Sequence, residues 1–214
     1  ALEPDLVLGF SDLQADIAAE LIRRGYPVVV FNQRSVAEIL QMIRVLGGLV
    51  GRADRAAALA ARLELDIDAV RSATTTRPRP RVFFEEWDNP LISGIRWVEE
   101  LIEVAGGEPT FPELRDAKLG RDRIVTPDEV VRRNPDVIIA SWCGKAVRTE
   151  RIATRVGWQD VAAVRNGHIY GIKSAYILQP GPAALTEGLR QLHDIVSRVR
   201  AQVARQDSAV SCAD

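Results

Sequence analysis

The sequence Ser35-Val36-Ala37-Glu38 begins a helical pattern that runs through the middle of the chain as far as Thr76. Ser35 and Glu38 have the spacing of a capping box, in which the two side chains satisfy free backbone N–H groups in the first turn of a helix. The apolar side chains that follow recur at helical spacing on one face. Three later glycines are predicted to weaken or end this first helix: Gly47, Gly48 and Gly51.

A second and longer helix is predicted from Ala53 to about Ala73. Its many alanines are strong helix formers, and its larger apolar side chains form one narrow stripe. The stripe consists of Leu59, Leu63, Ile67 and Val70. At about 1.5 Å per residue the helix is roughly 30 Å long, the diameter of a small domain. Pro78 and Pro80 forbid its continuation, so the helix is a rod that can join two lobes.

The rod separates two copies of one sequence pattern. In the first copy Glu3-Pro4-Asp5 precedes the short apolar run Leu6-Val7-Leu8-Gly9, and in the second Asn134-Pro135-Asp136 precedes Val137-Ile138-Ile139-Ala140. A helix and another apolar strand follow in each copy. Near-continuous β-branched runs separated by helices are typical of parallel strands covered by helices on both faces. The sequence therefore predicts an α/β fold: two Rossmann-like lobes with parallel sheets, joined by a long linker helix.

The second copy is preceded by a strand at Arg81–Phe84 and by two helices that have no counterpart in the first copy. A lobe with two strands is marginal by itself. The first lobe is therefore expected to be truncated at the N-terminus and to be completed by a missing segment or by a partner chain, as in a dimer. The expected organisation is a partial lobe at 1–51, a linker helix at 52–76, an α/β lobe at 77–205 and a disordered tail at 206–214.

Composition excludes several classes of function. The 214 residues are 47% hydrophobic and 27% charged, and a net charge of −1 gives no reason to expect nucleic acid or an anionic membrane as partner. No apolar run reaches the ~18–20 residues that span a bilayer. The opening Ala1-Leu2-Glu3-Pro4 does not have the pattern of a signal peptide. Cys143 and Cys212 lack the spacing of a metal site and leave the redox compartment open.

In open parallel sheets, ligands bind beyond the carboxyl ends of the strands. This rule selects four segments, each with an aromatic residue, although the chain has only 4 Trp, 3 Tyr and 5 Phe. Aromatic side chains can cover the apolar faces of a flat ligand, while Ser, Asp and Glu bond its polar rim. Trp97 and Trp158 are predicted to be packing residues. The predicted ligand contacts are Phe10, Ser11, Glu85, Glu86, Trp87, Trp142 and Tyr176.

Two more reactive roles are open to these residues but lack a motif. Glu85 and Glu86 are paired carboxylates of the kind used in acid–base catalysis, and with His168 or Cys143 they would supply metal ligands. The chain has no His-x-x-x-His, Cys-x-x-Cys or Gly-x-Ser-x-Gly spacing, so no catalytic residue, metal site or cofactor is expected. Neighbouring residues on a strand point to opposite faces, so at most one of the two glutamates faces a cleft if the strand continues.

The order of the motifs resembles one known family. The motifs that carry this resemblance are the Pro-Asp-strand motif, the long linking helix and three short segments. Those segments are Leu46-Gly47-Gly48-Leu49-Val50-Gly51, Arg79-Pro80-Arg81-Val82-Phe83-Phe84 and Gln179-Pro180-Gly181-Pro182. Together they are similar to the periplasmic substrate-binding proteins of ABC importers, in the class with a rigid helical linker whose members bind vitamin B12, iron–siderophores or haem. The resemblance extends to Arg205 and is strongest to the cobalamin-binding proteins.

The resemblance implies a function without chemistry. A corrinoid would be captured between the lobes and delivered to an ABC permease with its ATPase, in the periplasm or on an extracellular membrane anchor. Phe10 and Tyr176 each fall near a tryptophan that lines the cleft in the family. The family docks on its permease through one acidic residue on each lobe. Asp16 matches the first of these, whereas Leu178 stands at the second position, so Glu187 on the following helix is the substitute candidate.

Two alternatives remain open. The same fold could carry an iron–siderophore or haem as its metal chelate. An anionic siderophore would favour clustered arginines, whereas the strand-end segments are acidic or neutral apart from Lys145 and Lys173; this favours a neutral or cationic ligand such as cobalamin. An enzyme such as a tetrapyrrole chelatase would need a metal-binding His with carboxylates in the cleft, and the chain has only 2 His.

Overall fold

The computed structural model describes residues 3–75 and 78–211. Its first lobe is a strand–helix–strand–helix unit, as predicted. Its two strands pair in parallel, from Val7 opposite Val28 to Phe10 opposite Phe31. Gly25, with φ of +85°, follows the first helix as the predicted stop. The elements of this lobe are β1 (Val7–Phe10), α1 (Ala15–Arg23), β2 (Val28–Phe31) and α2 (Val36–Leu49).

The second lobe is built on a five-stranded sheet. Its strands are β3 (Arg81–Asp88), β4 (Leu91–Ser93), β5 (Glu108–Pro109), β6 (Val137–Ala140) and β7 (Ile169–Gly171). β6 lies between β3 and β7, and these three strands are parallel. On the other edge of β3, β4 pairs antiparallel with its second half and β5 pairs parallel with its first residues. The sequence patterns predicted neither β4 nor β5.

Helices on both faces of this sheet complete the α/β layers. Helix α3 (Ala53–Ala73) is the linker, and its bounds agree with the prediction; position 76, the predicted end of the linker region, lies outside the described residues. The helices of the second lobe are α4 (Arg96–Val104), α5 (Pro127–Arg133), α6 (Thr149–Ala153), α7 (Ala162–Arg165), α8 (Ser174–Ile177) and α9 (Leu189–Ser211).

Two capping boxes fix the starts of helices as the sequence predicts. The Ser35 hydroxyl accepts from the Glu38 backbone N–H at 3.2 Å, and the Glu38 carboxylate accepts from the Ser35 N–H at 3.0 Å. Thr126 and Glu129 make the same reciprocal pair at the start of α5. Each box satisfies two backbone donors that a helix start leaves free.

Gly47 and Gly48 lie inside α2, which corrects the prediction that they end it. The helix runs to Leu49, and Gly51, with φ of +64°, makes the turn toward α3. A Cβ atom placed on Gly47 would lie 2.1 Å from the Cβ of Ala56 in α3. Gly47 therefore lies where the two helices approach closely, and its missing side chain allows them to pack.

The core is divided by the second sheet. Phe84 and Ile139 face the linker side, where they belong to one buried cluster with Leu63 of α3, Leu101 of α4 and Leu192 of α9. Phe83 and Ile138, one position earlier on the same strands, face the opposite cluster. This alternation is the two-residue period of a strand whose two faces are both covered. The opposite cluster also contains Trp142, Ile152 and Trp158.

The first lobe buries less of its apolar surface. Leu8 on β1 and Val30 on β2 are exposed, and so are several apolar side chains that precede or belong to α1. In parallel register Leu8 lies opposite Val29, and Val30 lies opposite Gly9, so the two exposed strand residues lie on opposite faces of the small sheet. Neither face is fully covered by the described residues. The exposed side chains near α1 are Leu13, Ile17 and Ile22.

The last helix differs from its predicted form. A π-helical turn at Ala184–Gly188 precedes α9. The end of this turn lies close to α8, since a Cβ on Gly188 would lie 2.5 Å from the carbonyl oxygen of Tyr176. The described part of α9 continues through positions 206–211, within the predicted tail at 206–214, and 212–214 lie outside the described residues. None of the described helices is both long and apolar enough to cross a membrane.

Candidate functional site

A cavity of about 430 Å³ lies beside the carboxyl ends of β3 and β6. The β3–β4 hairpin, the loop after β6 and the residue after α8 supply its walls. This is the edge of the sheet where parallel α/β proteins place their ligands. Most of the lining is apolar or aromatic: Glu86, Trp87, Pro90, Ile92, Ile95, Trp97, Cys143 and Leu178. We call it the aromatic cavity.

Trp87 is held in place at this cavity. Its side chain is half-buried, and its indole N–H donates to the carbonyl oxygen of Asn89 at 3.0 Å. The Lys145 ammonium lies 4.0 Å from the centroid of its ring and 3.9 Å from a carboxylate oxygen of Asp88. A cation over an aromatic face is attracted to the π electrons. The indole is therefore a fixed, flat apolar surface.

Glu86 places a carboxylate on the same wall. Two nitrogens of Arg123, whose side chain is 1% exposed, donate to its oxygens at 2.7 and 3.0 Å. Arg123 also donates to the carbonyl oxygen of Ser93, and the Ser93 hydroxyl donates to the Arg123 carbonyl at 3.3 Å. A paired carboxylate keeps free lone pairs. Glu86 can thus accept hydrogen bonds from ligand amides in one fixed direction.

Glu85 and Trp142, both predicted ligand contacts, lie in the interior of the lobe. Glu85 is completely buried; Arg155 donates to its two oxygens at 2.5 and 2.9 Å, and the Trp142 indole N–H donates at 3.0 Å. Trp142 is 2% exposed. The ligand-contact prediction is corrected for both residues, because β3 continues through Asp88 and turns Glu85 inward while Glu86 points the other way. The expectation that at most one glutamate faces the cleft is confirmed.

Ser11 is also engaged inside the protein. It is 5% exposed, donates to Asp12 at 2.9 Å and accepts from Arg34 at 2.8 Å, so its predicted ligand contact is corrected in the same way. Phe10 is half-buried, with the Arg34 guanidinium 5.2 Å from its ring centroid. Tyr176 is exposed on α8. Neither aromatic residue lines the aromatic cavity, and their predicted ligand contact remains a prediction.

Several residues of the cavity wall were not predicted from the sequence. Pro90, Ile92 and Ile95 belong to the hairpin and to the turn that follows it. The signal was present in the Asn-Pro turn between two apolar runs, which is typical of a strand connection. Trp97 and Trp158 are packing residues, as predicted: they are 2% and 0% exposed, and the Trp97 indole donates to the Ile177 carbonyl at 2.9 Å. Part of the Trp97 side chain nonetheless lines the aromatic cavity.

A second, smaller pocket of about 240 Å³ lies between the lobes. Residues that follow β2 form one side, and residues before and after α4 form the other. Ile95 borders both this pocket and the aromatic cavity. We call it the interlobe pocket; its lining is Asn32, Arg34, Glu38, Ile95, Arg96, Arg115, Asp116, Ala117 and Lys118.

A larger groove of about 790 Å³ runs along α2, α3 and α4. It reaches β5, which pairs with the first residues of β3. The groove therefore lies at the amino end of the sheet, opposite the edge where α/β folds bind ligands. Its wall also carries five carboxylates: Glu64, Asp68, Glu100, Glu103 and Glu108. The aromatic cavity is the better candidate site because it combines the right edge with aromatic surface.

Glu99 is a buried carboxyl on α4. It is 3% exposed, one of its oxygens has no hydrogen-bond partner among the described residues, and a Cβ on Gly94 would lie 2.9 Å from the other. Burial raises the pKa of Glu99 to about 8, against the opposing effect of the Arg115 charge. Glu99 is therefore protonated at neutral pH and makes no charged contribution to the site.

The two predicted docking residues have different surroundings. Asp16 is exposed in the first turn of α1, shortly beyond the carboxyl end of β1. The Glu187 carboxylate accepts from Arg190 at 2.7 and 2.9 Å and from Gln191 at 2.6 Å, and these bonds lower its pKa to about 2. Leu178, which stands where an acid was expected, lines the aromatic cavity. Its apolar side chain thus has a place in the cavity wall.

The described side chains, those of residues 3–75 and 78–205, include no group of three or more His, Cys, Asp or Glu that could hold a metal ion. His168 has the predicted structural role: it is 5% exposed, and its Nδ1 lies 3.1 Å from the carbonyl oxygen of Asp136. The aromatic cavity thus offers a ligand one fixed aromatic surface and one oriented carboxylate.

The chain belongs to the periplasmic binding protein family, because the sequence model of that family matches residues 1–176. Two relatives are similar at low identity. An uncharacterized ABC transporter substrate-binding lipoprotein, YvrC of Bacillus subtilis, is 23% identical over 206 residues, which cover 92% of this chain and 63% of that protein. A vitamin B12-binding protein of Vibrio parahaemolyticus is 24% identical over 189 residues, covering 86% of this chain and 66% of that protein.

Among solved structures, the periplasmic heme-binding protein RhuT from Roseiflexus superposes with a TM-score of 0.71 at 24% identity, over 90% of this chain and 77% of that one. At this identity the likeness shows the fold, that of periplasmic binding proteins. The chain spans just under two thirds of the length of the two relatives. The family consists of binding proteins rather than enzymes, so the chelatase alternative loses its support.

Proposed function

We propose that this chain is the substrate-binding component of an ABC importer and that its ligand is a corrinoid bound in the cleft between the lobes. The observation that carries the proposal is the aromatic cavity: the fixed Trp87 ring and the oriented Glu86 carboxylate share one wall at the carboxyl edge of the sheet. A corrin offers a broad apolar face and a rim of amides. Family membership and the vitamin B12-binding relative support the same ligand.

The charge of the cavity also supports a corrinoid. Glu86 is the one charged side chain among the described residues that line it, and Arg123 neutralises that charge from behind. No cationic side chain belongs to the described lining, and the Lys145 ammonium beside the Trp87 ring lies 3.9 Å from Asp88. An anionic siderophore would therefore bring charge to a partly dry wall without a free counter-ion, which is unfavourable. Haem is the second candidate, favoured by the structural similarity to a heme-binding protein.

Delivery requires a permease with its ATPase, and we propose Asp16 as the docking carboxylate of the first lobe. It is exposed and has no ion pair among the described residues. Glu187 could serve on the second lobe only after it leaves Arg190. The proposed location is the periplasm or the outer side of a membrane to which the protein is anchored, as the name of the lipoprotein relative suggests.

The test is a titration of the purified chain with cyanocobalamin, haemin and a ferric hydroxamate, followed by tryptophan fluorescence and calorimetry. We expect saturable one-to-one binding of cyanocobalamin that Trp87→Ala and Glu86→Gln each weaken about tenfold or more. Glu108→Gln, which removes an exposed carboxylate at the opposite end of the sheet, is the matched control and should change nothing. Tighter binding of haemin than of cyanocobalamin would show that haem, and not a corrinoid, is the preferred ligand. Binding of none of the three would contradict the proposed function.

A further inference from the structure

The segment between β2 and α2 makes two hydrogen bonds that cross from the first lobe to the second. The Gln33 side-chain amide donates to the carbonyl oxygen of Pro180 at 3.0 Å. Three residues later, the Val36 backbone N–H donates to a carboxylate oxygen of Glu100, on α4, at 2.7 Å. We call these two contacts the interlobe clasp. They hold the chain at the point where the small sheet of the first lobe joins α2.

The Val36 contact completes the start of α2. A helix start leaves four backbone N–H groups without partners inside the helix. The Ser35 hydroxyl satisfies that of Glu38 from within the same segment, whereas the Val36 N–H takes its acceptor from the other lobe. The partial positive charge at the start of a helix also favours a carboxylate there. The second lobe thus supplies a capping group, Glu100, to a helix of the first.

The Glu100 carboxylate is oriented by its own helix. Arg96, one turn earlier on α4, donates to one of its oxygens at 2.9 Å, and the Val36 N–H donates to the other. The Glu100 side chain is 22% exposed and that of Arg96 is 43% exposed. A hydrogen bond to an ionised acceptor is shorter and stronger than one between neutral groups. The clasp therefore fixes a direction as well as a contact.

Helix α4 also leads from the clasp to the candidate site. Ile95, the residue before α4, lines the aromatic cavity, and both Ile95 and Arg96 line the interlobe pocket. On the first lobe Asn32, the neighbour of Gln33, lines the interlobe pocket as well. Each clasp residue is therefore within one helical turn, or one residue, of a wall that belongs to its own lobe.

We propose that Glu100 is a positioning residue for ligand binding: through Val36 it sets the distance between the first lobe and the aromatic cavity. The inference rests on the proposed function, because it concerns a ligand that contacts both lobes. The apolar packing of α2 is non-directional, and the clasp adds direction to it. Without the clasp the first lobe samples other positions, and the apparent dissociation constant rises as the binding-competent fraction of molecules falls.

Two substitutions break the same hydrogen bond from opposite sides. Glu100→Ala removes the acceptor, and Val36→Pro removes the donor. Proline suits the first position of a helix, and the extended backbone of Ser35, with φ of −121° and ψ of 164°, suits the residue before a proline. Glu100→Gln is the conservative variant, because its amide oxygen can still accept from the Val36 N–H. Asp194→Ala is the matched control, since Asp194 pairs with Arg190 at the same spacing on its own helix.

Each variant is measured in two ways. Calorimetric titration of the purified chain with cyanocobalamin and with haemin gives the dissociation constant. Double electron–electron resonance between two nitroxide labels, without ligand, gives the distribution of distances between the lobes. The labels are attached through Arg23→Cys on α1 and Arg132→Cys on α5, whose side chains are each 72% exposed, with Cys143→Ser and Cys212→Ser in the same chain. Urea unfolding establishes that each variant is folded.

We expect Glu100→Ala and Val36→Pro to broaden the distance distribution and to raise the dissociation constant of the preferred ligand about three- to tenfold. Glu100→Gln and Asp194→Ala should both stay close to the wild type in the two measurements. An unchanged distance distribution in Glu100→Ala and Val36→Pro would overturn the inference, and so would a broadened distribution with an unchanged dissociation constant.

Equal losses in Glu100→Gln and Glu100→Ala would also overturn it, because the ion pair with Arg96 and not the contact with Val36 would then be responsible. Failure of the proposed function gives a different result. In that case the wild-type chain binds neither cyanocobalamin nor haemin, and the distance distributions still decide whether Glu100 positions the first lobe.

Discussion

Arg155 lies against Glu85 with two hydrogen bonds, and the Glu85 side chain is completely buried while that of Arg155 is 19% exposed. Trp142 donates a third hydrogen bond to the same carboxylate. The group sits between the sheet and the helices on the side away from the linker. A buried charge pair of this kind is stable only while both partners are present.

Arg155→Ala should therefore lower the free energy of unfolding by about 3–5 kcal/mol, because it leaves the Glu85 carboxylate buried without its partner. Urea denaturation followed by far-UV circular dichroism measures this. Arg151→Ala is the control: its guanidinium is 64% exposed and lies 3.5 Å from Asp88, so the loss should stay below about 1 kcal/mol. Equal effects of the two changes would show that Glu85 is not buried as described.

The contact between α2 and α3 predicts opposite effects of two neighbouring substitutions. A Cβ on Gly47 would meet Ala56 at 2.1 Å, whereas a Cβ on Gly48 would meet nothing within 4 Å. Gly48→Ala should stabilise the protein by up to about 1 kcal/mol through helix propensity. Gly47→Ala should destabilise it by about 1–3 kcal/mol through overpacking. Thermal unfolding of both variants checks the sign, and stabilisation by both would refute the close approach.

Several parts of the fold could be predicted because a local signal agreed with the tertiary structure. The capping boxes at Ser35 and Thr126 and the bounds of α3 follow from helix chemistry within a few residues. The end of α2 could not be predicted in this way. The low helix propensity of glycine predicts that Gly47 ends the helix. Instead, Gly47 packs against Ala56, nine residues later, and this tertiary contact explains why a glycine lies within α2.

The sequence predicted where the candidate site lies better than it predicted which residues line it. The strand-end rule led to Glu86 and Trp87, which line the aromatic cavity. It also selected Glu85, because the sequence does not show that β3 continues for four residues beyond Phe84. Pairing with β4 stabilises this continuation. Because successive side chains of a strand point to opposite faces, a shift of one residue would reverse which glutamate faces inward. Partners such as Arg155 and Arg123 lie 70 and 37 residues away along the chain, where no sequence pattern indicates them.

Glu99 predicts a pH dependence of stability. Burial raises the pKa of its carboxyl from 4.5 to about 8, so between these values the folded protein keeps a proton that the unfolded chain has released. The free energy of unfolding therefore falls as pH rises through this window, by at most about 1.4 kcal/mol per pH unit, and levels off above it.

Glu99→Gln removes this titration and should flatten the profile. Urea unfolding of the wild type and the variant at about pH 5.5 and pH 8 makes the comparison: the variant should gain stability relative to the wild type by a few kcal/mol at the higher pH. Glu108→Gln, which removes an exposed carboxylate from β5, is the control. Parallel profiles for the wild type and Glu99→Gln would show that the carboxyl ionises freely in the folded state.

The two lobes should differ in local stability. Leu8 and Val30 leave both faces of the two-stranded sheet partly uncovered, and Ile17 on α1 is 61% exposed, whereas β6 is buried along its whole length. Backbone amides open more easily where fewer apolar contacts cover them. Hydrogen exchange measured by mass spectrometry should therefore be at least about tenfold faster in residues 7–31 than in residues 137–140. Equal protection in the two segments would mean that the first lobe is covered in solution, and sedimentation of the same sample would show whether a second copy of the chain provides that cover.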